Sequence, residues 1–508
     1  MQRIIVLDFG GQYCHLISRR IRELGVFSEV LANDVSVSEL KAMKGLKGII
    51  LSGGAASVYD KQAPKMNKEV LELGIPVLGI CYGHQLIAFL EKGKIVSGKS
   101  GEYGLAELEL TSKNKLVDGF DAKELVWMNH RDIVQELPKG YSVLARTKHS
   151  SIAIFANDDK KIYGVQFHPE VTHTAKGLKL LDNFVFGICK ARKSWSVSNY
   201  AKIIRDEIKN ELGNKKAIIG LSGGVDSSTS AVLVSKVIEK NLCAVYVDTG
   251  LMRQGETEFI RKTFSKYPFK LKIVDAGKEF FRALKGVSAP EKKRKIIGKT
   301  FIDIFERIAK QEKADVLIQG TIYSDRIESG VTRHSATIKS HHNVGGLPRK
   351  MKLKLYEPLR ELYKDEVRRL AKELGLSDEL VYRQVFPGPG LGVRIISEVT
   401  PEKADIVRRA SYIIEEELKK AGLYDSVWMA FGVLLPVRSV GIQGDERSYK
   451  NPLVVRIVES KDAMTASFAK IPYDVLGKIS TRITNEVKEI NRVVYDITNK
   501  PPATMEWE

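Results

Sequence analysis

One stretch constrains this 508-residue chain more than any other: Ala217–Ser228, Ala-Ile-Ile-Gly-Leu-Ser-Gly-Gly-Val-Asp-Ser-Ser. Residues Ala217–Leu221 form a short apolar run, the pattern of a buried parallel strand. From Ser227 to Lys240 the apolar residues recur at helical spacing, which predicts a helix. The paired glycines between them let the backbone turn tightly and bring its N–H groups close to a ligand. The hydroxyls of Ser222, Ser227 and Ser228 can add donors, and the helix start adds positive potential. The whole is a backbone nest for an anion. Where the common phosphate loop has a Lys after its glycines, this one carries Asp226. A carboxylate beside phosphates is favourable when Mg²⁺ lies between them.

Bulk properties narrow the class. The length suggests two to four domains. A chain 43% hydrophobic and 28% charged has the composition of a soluble globular protein. No apolar run approaches the ~20 residues of a membrane span, and the amino terminus enters a strand without a signal-peptide pattern. Cys14, Cys81, Cys189 and Cys243 are far apart and form no CxxC pair, which fits a reducing cytoplasm. No membrane partner is expected. The net charge of +19 is spread along the chain. Its densest run, Lys292–Lys295, is short and lacks interleaved aromatics, so it reads as a solvated face and no nucleic-acid partner is expected.

Residues 2–190 alternate short apolar runs (Arg3–Asp8, Gly48–Ser52, Val77–Ile80) with helical patterns (Gln12–Leu24, Lys65–Leu73). Alternation of this kind predicts a parallel α/β sheet with sites at the carboxyl ends of its strands. At one such end stands Gly79-Ile80-Cys81-Tyr82-Gly83-His84-Gln85, built like a nucleophile elbow: the turn exposes the sulfur and the helix start favours thiolate. Downstream, His168 and Glu170 are two apart, on one side of an extended segment, which suits a base and the carboxylate that orients it.

These motifs resemble the class I glutamine amidotransferases over about residues 1–190. The resemblance implies Cys81 as nucleophile, His168 as base and Glu170 as orienter. Leu51-Ser52-Gly53-Gly54 matches the family's oxyanion loop, which implies that the N–H groups of Gly54 and Tyr82 receive the oxyanion. Gln85 matches a glutamine-site position. In Val126–Asp132, His130 and Asp132 keep the family's usual Ser-His-Gly-Asp pattern, whereas Asn129 and Arg131 depart from it and bear on the substrate-loop conformation.

The polar stretch 191–199 reads as a linker. After the glycine loop, the strand Cys243–Asp248 leads into Thr249–Arg253, where Asp248 and Arg253 suit either a nucleotide site or an ordinary loop. Acidic, basic and His residues flank Gly330–Thr337, a stretch with little apolar content, which suggests a mobile lid. A zinc reading of His341 and His342 fails, because sequence neighbours point apart and no cysteine pair accompanies them. A helix is expected from Glu357 to Gly375, with Lys364 and Asp365 facing either a nucleotide or solvent. The rigid turn Phe386–Leu391 marks a second boundary. Beyond it the pattern gives a helix at Pro401–Ala421, strands at Val427–Pro436, Ser439–Gln443 and Leu453–Val458, and a helix at Tyr473–Ile490.

The Ser222–Ser228 loop resembles the pyrophosphate loop of the ATP pyrophosphatases, which implies ATP cleaved between its α- and β-phosphates and AMP transferred to a substrate oxygen. Combined with Gln319–Tyr323, Ile338–Gly346, Phe386–Leu391 and the closing Lys500–Glu508, it resembles the glutamine-hydrolysing GMP synthetase family over essentially the whole chain. The implied reaction is XMP + ATP + glutamine + water → GMP + AMP + pyrophosphate + glutamate. Adenylation turns the poor C2 oxygen leaving group of XMP into a good one, and glutamine supplies ammonia that protonating water would otherwise hold as ammonium.

The same resemblance implies ATP contacts from Ser222, Gly223, Gly224, Val225, Asp226, Ser227, Ser228 and Gly320, with Asp226 as the anchor for Mg²⁺. It implies lid and adenylation roles for Asp325, Glu328, Lys339 and His341, and XMP contacts from Arg294, Arg492, Lys500 and Glu506. The expected architecture is α/β: an amidotransferase domain (1–190), an ATP-pyrophosphatase domain (198–386), both with parallel sheets, and a smaller α+β domain (387–508) that forms a homodimer. Met429, Val385 and Met505 replace the family's usual Gln, Pro and Ile, and are expected to tune affinity. Two other readings compete. A pyrophosphate-loop enzyme that modifies tRNA would suit the basic charge, but paired cysteines are absent and a glutaminase is present. A non-catalytic nucleotide or glutamine sensor is opposed by the intact Cys81/His168/Glu170 set and the intact loop at Asp226.

Overall fold

The computed structural model describes residues 1–323, 325, 353–443, 445–460 and 465–508; Glu328, Lys339 and His341 lie outside the described residues. The chain divides into two compact units, one over Met1–Tyr200 and one that begins at Ala201 and runs to Glu508.

In the first unit, β1 (Arg3–Asp8) buries its four central side chains in a row, the pattern of a strand covered on both faces. It lies inside a nine-stranded sheet with β2 (Phe27–Ala32), β3 (Leu46–Leu51), β4 (Val77–Ile80), β5 (Lys94–Leu110), β6 (Lys123–Glu136), β7 (Ser142–Arg146), β8 (Ile154–Asn157) and β9 (Ile162–Val165), in the order β2-β1-β3-β4-β9-β8-β7-β5-β6. Strands β2, β1, β3, β4 and β9 run parallel. The remaining pairs are antiparallel, so the expected parallel sheet is mixed. The physical reason is the connections: the turn Asp158–Lys161 between β8 and β9 is too short for a parallel crossover. The pattern at Lys65–Leu73 yields only a short 3₁₀ turn, Lys68–Glu72.

The second unit holds two sheets. β10 (Ala217–Gly220), β11 (Leu242–Asp248), β12 (Lys270–Asp275), β13 (Val316–Ile318) and β14 (Lys354–Tyr356) form a parallel sheet in the order β12-β11-β10-β13-β14. In the other sheet, β15 (Met429–Leu434), β16 (Ser439–Gln443), β18 (Ser467–Phe468) and β19 (Ile490–Tyr495) all pair with the long β17 (Glu446–Glu459). Strand β19 falls where the helical pattern Tyr473–Ile490 was expected to end. The helix stops at Glu486, and the β-branched run of Ile490-Asn-Arg-Val-Val-Tyr continues as a strand parallel to β17. The apolar core is continuous across both sheets: Ile218 and Val245 belong to the same buried cluster as Ile414, Leu453 and Ile483.

Candidate active sites

β4 runs into the helix Tyr82–Leu90 at Cys81, whose φ of 52° and ψ of −104° are unusual for a residue with a Cβ. The flanking glycines make this turn possible. A Cβ on Gly79 would lie 2.4 Å from the Gly83 carbonyl oxygen, and one on Gly83 2.5 Å from that of Leu51. The Sγ of Cys81 lies 3.7 Å from the Asn129 carbonyl oxygen, at the rim of a cavity of about 600 Å³. Burial pushes the thiols of Cys14, Cys189 and Cys243 upward, Cys243 to about 11, and none of them stands on such an elbow.

Strand β9 neighbours β4, and the chain leaving it places His168 beside Cys81. His168 Nδ1 is 2.7 Å from Oε1 of the fully buried Glu170 side chain. Nε2 is buried without a full hydrogen bond, while the Cys81 sulfur is close enough to act on the ring. Burial disfavours the charged ring, but Cys81 and Glu170 outweigh it and raise the His168 pKa to about 10. Ser52 holds the neighbouring loop: its Oγ accepts from Phe9 N–H at 2.9 Å and donates to the Gly53 carbonyl at 2.9 Å. At Gly54 a Cβ would lie 2.5 Å from the Phe9 carbonyl oxygen, so the close backbone approach there requires glycine.

The wall opposite is the β6 segment 129–132. Asn129 and Arg131, the two departures from the family pattern, are exposed and line the cavity, as does Asp132. Gln85 Nε2 donates to the Asp132 carbonyl at 2.7 Å and to Gln166 Oε1 at 3.2 Å, so Gln85 braces this wall. His130 points inward, Nδ1 3.1 Å from the Asp132 carbonyl oxygen and Nε2 3.1 Å from Glu102 Oε2; Glu102 also accepts from Thr147 Oγ1 at 2.8 Å. Glu102, Thr147 and Gln166 escaped the sequence reading. They meet the motif across strands, and spacing along the chain carries no trace of such pairs.

In the second unit the helix after β10 begins at Val225, two residues earlier than its periodicity suggests, so Asp226 stands in its first turn. The loop is tied by its own hydroxyls. Gly224 N–H donates to Ser222 Oγ at 3.3 Å, Ser227 Oγ to the Gly224 carbonyl at 3.2 Å, and Ser228 Oγ to the same carbonyl at 2.8 Å. Gly223 has φ +76°, and a Cβ there would meet Glu256 Oε1 at 2.4 Å. Gly320, just past β13, packs on the loop, where a Cβ would be 3.0 Å from Ser227 N. Lys364, the first residue of the helix Lys364–Glu373, places Nζ 2.6 Å from Asp226 Oδ2. Asp226 Oδ1 is buried and without a partner. That orphaned oxygen fits a cation, and no cluster of three metal-binding side chains exists among the described residues.

Other candidates have partners within the second unit. Asp248 accepts from Gly250 N–H at 2.9 Å and from Thr257 Oγ1 at 2.5 Å. Arg253 donates to the Gln384 and Val385 carbonyls at 2.8 and 3.1 Å and lies over the Phe386 ring, fixing the turn that follows. Asp325 accepts from Ile322 N–H at 3.0 Å, and Asp365 pairs with Arg369.

The closing segment is held by buried cations. Lys293 Nζ meets Glu508 Oε2 at 2.5 Å and the Ile395 carbonyl at 2.6 Å. Arg394 forks onto Glu506 at 2.9 and 3.0 Å, and the fully buried Arg456 binds Asp496 at 2.6 Å and the Thr504 carbonyl at 2.7 Å. The basic run is therefore not wholly a solvated face: Lys293 is fully buried, because its helix turns that side inward. Arg294 pairs with Glu291, Arg492 donates to Ser439 Oγ at 2.8 Å, and Lys500 joins Ala466 through the backbone. Met429 is buried in an apolar cluster against which Met505 packs, so two of the departures share one environment.

A thiol on an elbow in one unit and an anion-binding glycine loop in the other define a two-site amide-transfer enzyme: an amidotransferase joined to a nucleotide-activating synthetase. Family models match in the same order: glutamine amidotransferase class-I over residues 5–188, NAD synthase over 196–296, and GMP synthase C-terminal domain over 416–507. The chain is 52% identical over 511 residues to a GMP synthase (glutamine-hydrolyzing) of Aquifex aeolicus, covering 100% of both chains. It is 52% identical over 507 residues to one of Clostridium tetani and 51% identical over 507 residues to one of Campylobacter hominis, covering 99% of each chain. The chain belongs to the glutamine-hydrolysing GMP synthase family.

Proposed function

We propose that this enzyme converts XMP to GMP with ammonia taken from glutamine and ATP cleaved to AMP and pyrophosphate. The observation that carries the reading is identity at about half of all positions over the whole length of relatives named for that activity, in a chain that keeps both sites. Neither tRNA modification nor a non-catalytic sensor is favoured. The test is direct: XMP, ATP, glutamine and a divalent cation should give GMP, AMP and pyrophosphate in equal amounts. AMP release that needs tRNA instead of XMP would overturn it.

In the first unit, His168 as base holds the proton taken from the Cys81 thiol, Cys81 Sγ attacks the glutamine carboxamide carbon as the thiolate, and the imidazolium passes its proton to the departing ammonia. Glu170 holds Nδ1 and keeps the ring oriented, and the Gly54 and Tyr82 N–H groups receive the oxyanion. Gln85, His130 and Asp132 shape the glutamine pocket. Water then releases glutamate from the thioester.

In the second unit, residues 222–228 and Gly320 cradle the pyrophosphate portion of ATP, with Lys364 beside it. Asp226 would hold Mg²⁺ there, and the ion would neutralise phosphate charge. The XMP C2 oxygen attacks the α-phosphorus, pyrophosphate leaves, and ammonia displaces AMP from C2. Asp325, Glu328, Lys339 and His341 serve adenylation. Arg294, Arg492, Lys500 and Glu506 contact XMP, the cations suiting its phosphate.

We read residues 1–190, 198–386 and 387–508 as three domains, the last forming a homodimer. Exposed Val440 and Ile442 on β16, with Tyr449 opposite Val440 on β17, support that pairing surface. Among the described residues no helix is long and apolar enough to cross a membrane, and the substrates suit a cytoplasmic enzyme.

A further inference from the structure

We infer that Glu102 is a positioning residue for the glutamine pocket, acting through His130 on the wall that faces Cys81. The inference rests on the reading of the first unit as a glutaminase. β5 and β6 pair in register from Glu102 onward, with Glu102 opposite His130, whereas the previous pair is Ser97 opposite Asp132. The extra residues on β5 form a bulge, and the ladder near the cavity is interrupted. Backbone pairing is therefore weakest beside Asp132, where the wall needs a fixed shape.

Side chains supply what the ladder lacks. Thr147 Oγ1 donates to Glu102 Oε1, Glu102 Oε2 receives His130 Nε2, and His130 Nδ1 faces the Asp132 carbonyl oxygen, which Gln85 Nε2 also binds. The His130 and Glu102 side chains are almost fully buried. Burial opposes the Glu102 charge, but hydrogen bonds from His130 and Thr147 hold its carboxyl below the usual carboxylate range. The two ring nitrogens of His130 face two oxygens, Glu102 Oε2 and the Asp132 carbonyl. The ring is then locked at two ends, and the Asp132 carbonyl cannot rotate away.

Glu102→Gln keeps size and removes the charge. The carboxylate accepts at both oxygens, whereas the amide accepts at only one, so either the His130 or the Thr147 bond is lost and the other loses its charge assistance. The wall should loosen, while the turn at Cys81, shaped by the close backbone approaches of Gly79 and Gly83, should not. Full-length protein is treated with a chloroketone analogue of glutamine, which must occupy the pocket to alkylate Cys81, and separately with iodoacetamide, which need not. In wild type the chloroketone should saturate. In Glu102→Gln its half-saturation concentration should rise about 10-fold, with the iodoacetamide rate within about twofold of wild type. Thr147→Val, which leaves the His130–Glu102 contact and removes one donor, should shift the same constant less and in the same direction, and it carries the test if Glu102→Gln does not fold. A wild-type half-saturation constant in folded Glu102→Gln, or in Thr147→Val if that variant alone folds, would overturn the positioning role. Equal loss of both labels in a folded variant would overturn it too, since the elbow itself would then depend on Glu102. Absence of saturation in wild type would overturn the glutaminase reading, and the positioning role with it.

Discussion

Lys364 Nζ lies 2.6 Å from Asp226 Oδ2, joining the first turns of two helices above the Ser222–Ser228 loop while Asp226 Oδ1 stays buried and unpartnered. One oxygen is thus neutralised by the protein and the other is left for a cation. A lysine appears at the phosphate loop after all, delivered from another helix and not from the loop's own sequence.

Asp226→Ala removes the cation anchor and leaves the Lys364 charge without its partner. XMP-dependent AMP formation should fall by about 100-fold or more, the scale of several kcal/mol of charge stabilisation. Glutamine hydrolysis, measured as glutamate release, should persist. Unchanged AMP formation would show that Asp226 anchors nothing needed for adenylation.

The His168 imidazolium couples the first unit's stability to pH. Its pKa of about 10 in the folded chain lies above the ordinary 6.5. The ionic contribution is therefore fully present below pH 6.5 and is lost as pH rises through about 10. Glu170→Gln removes part of what holds the charge and should flatten that loss. Thermal unfolding midpoints of wild type and variant between pH 6.5 and 10 measure it; parallel curves would contradict the assignment.

Much of both sites was legible because their chemistry is local. Cys81 with its glycines, His168 with Glu170, and Ser222–Ser228 each lie in one short segment, where spacing fixes geometry. The exceptions are contacts made by tertiary folding. Glu102 reaches His130 across a bulged strand pair, and Lys364 reaches Asp226 from a distant helix. Lys293 lies in a run of cations that reads as surface, yet Glu508 at the other end of the unit makes its burial tolerable. The antiparallel half of the first sheet was missed for a different reason: apolar runs do not encode direction, and only the length of the connections, as in the short turn between β8 and β9, does.

Lys500→Ala tests the closing segment. A charge-assisted bond to the XMP phosphate is worth about 10- to 100-fold in affinity. The KM for XMP should rise on that scale, with the KM for ATP unchanged. Equal effects on both would assign Lys500 to the fold of the segment and not to XMP.

The division of labour between the two units is tested most directly by Cys81→Ala. The substitution removes the sulfur that forms the thioester, and an Ala meets the same backbone requirement at φ 52° as the Cys it replaces. The full-length variant should make no GMP from glutamine. Given ammonium salt at high pH, where free ammonia is abundant, it should make GMP from XMP, ATP and Mg²⁺ at the wild-type rate. Glutamine-dependent synthesis that survives in the variant would contradict Cys81 as the nucleophile, and loss of the ammonia-dependent reaction in a folded variant would contradict the separation of the two sites.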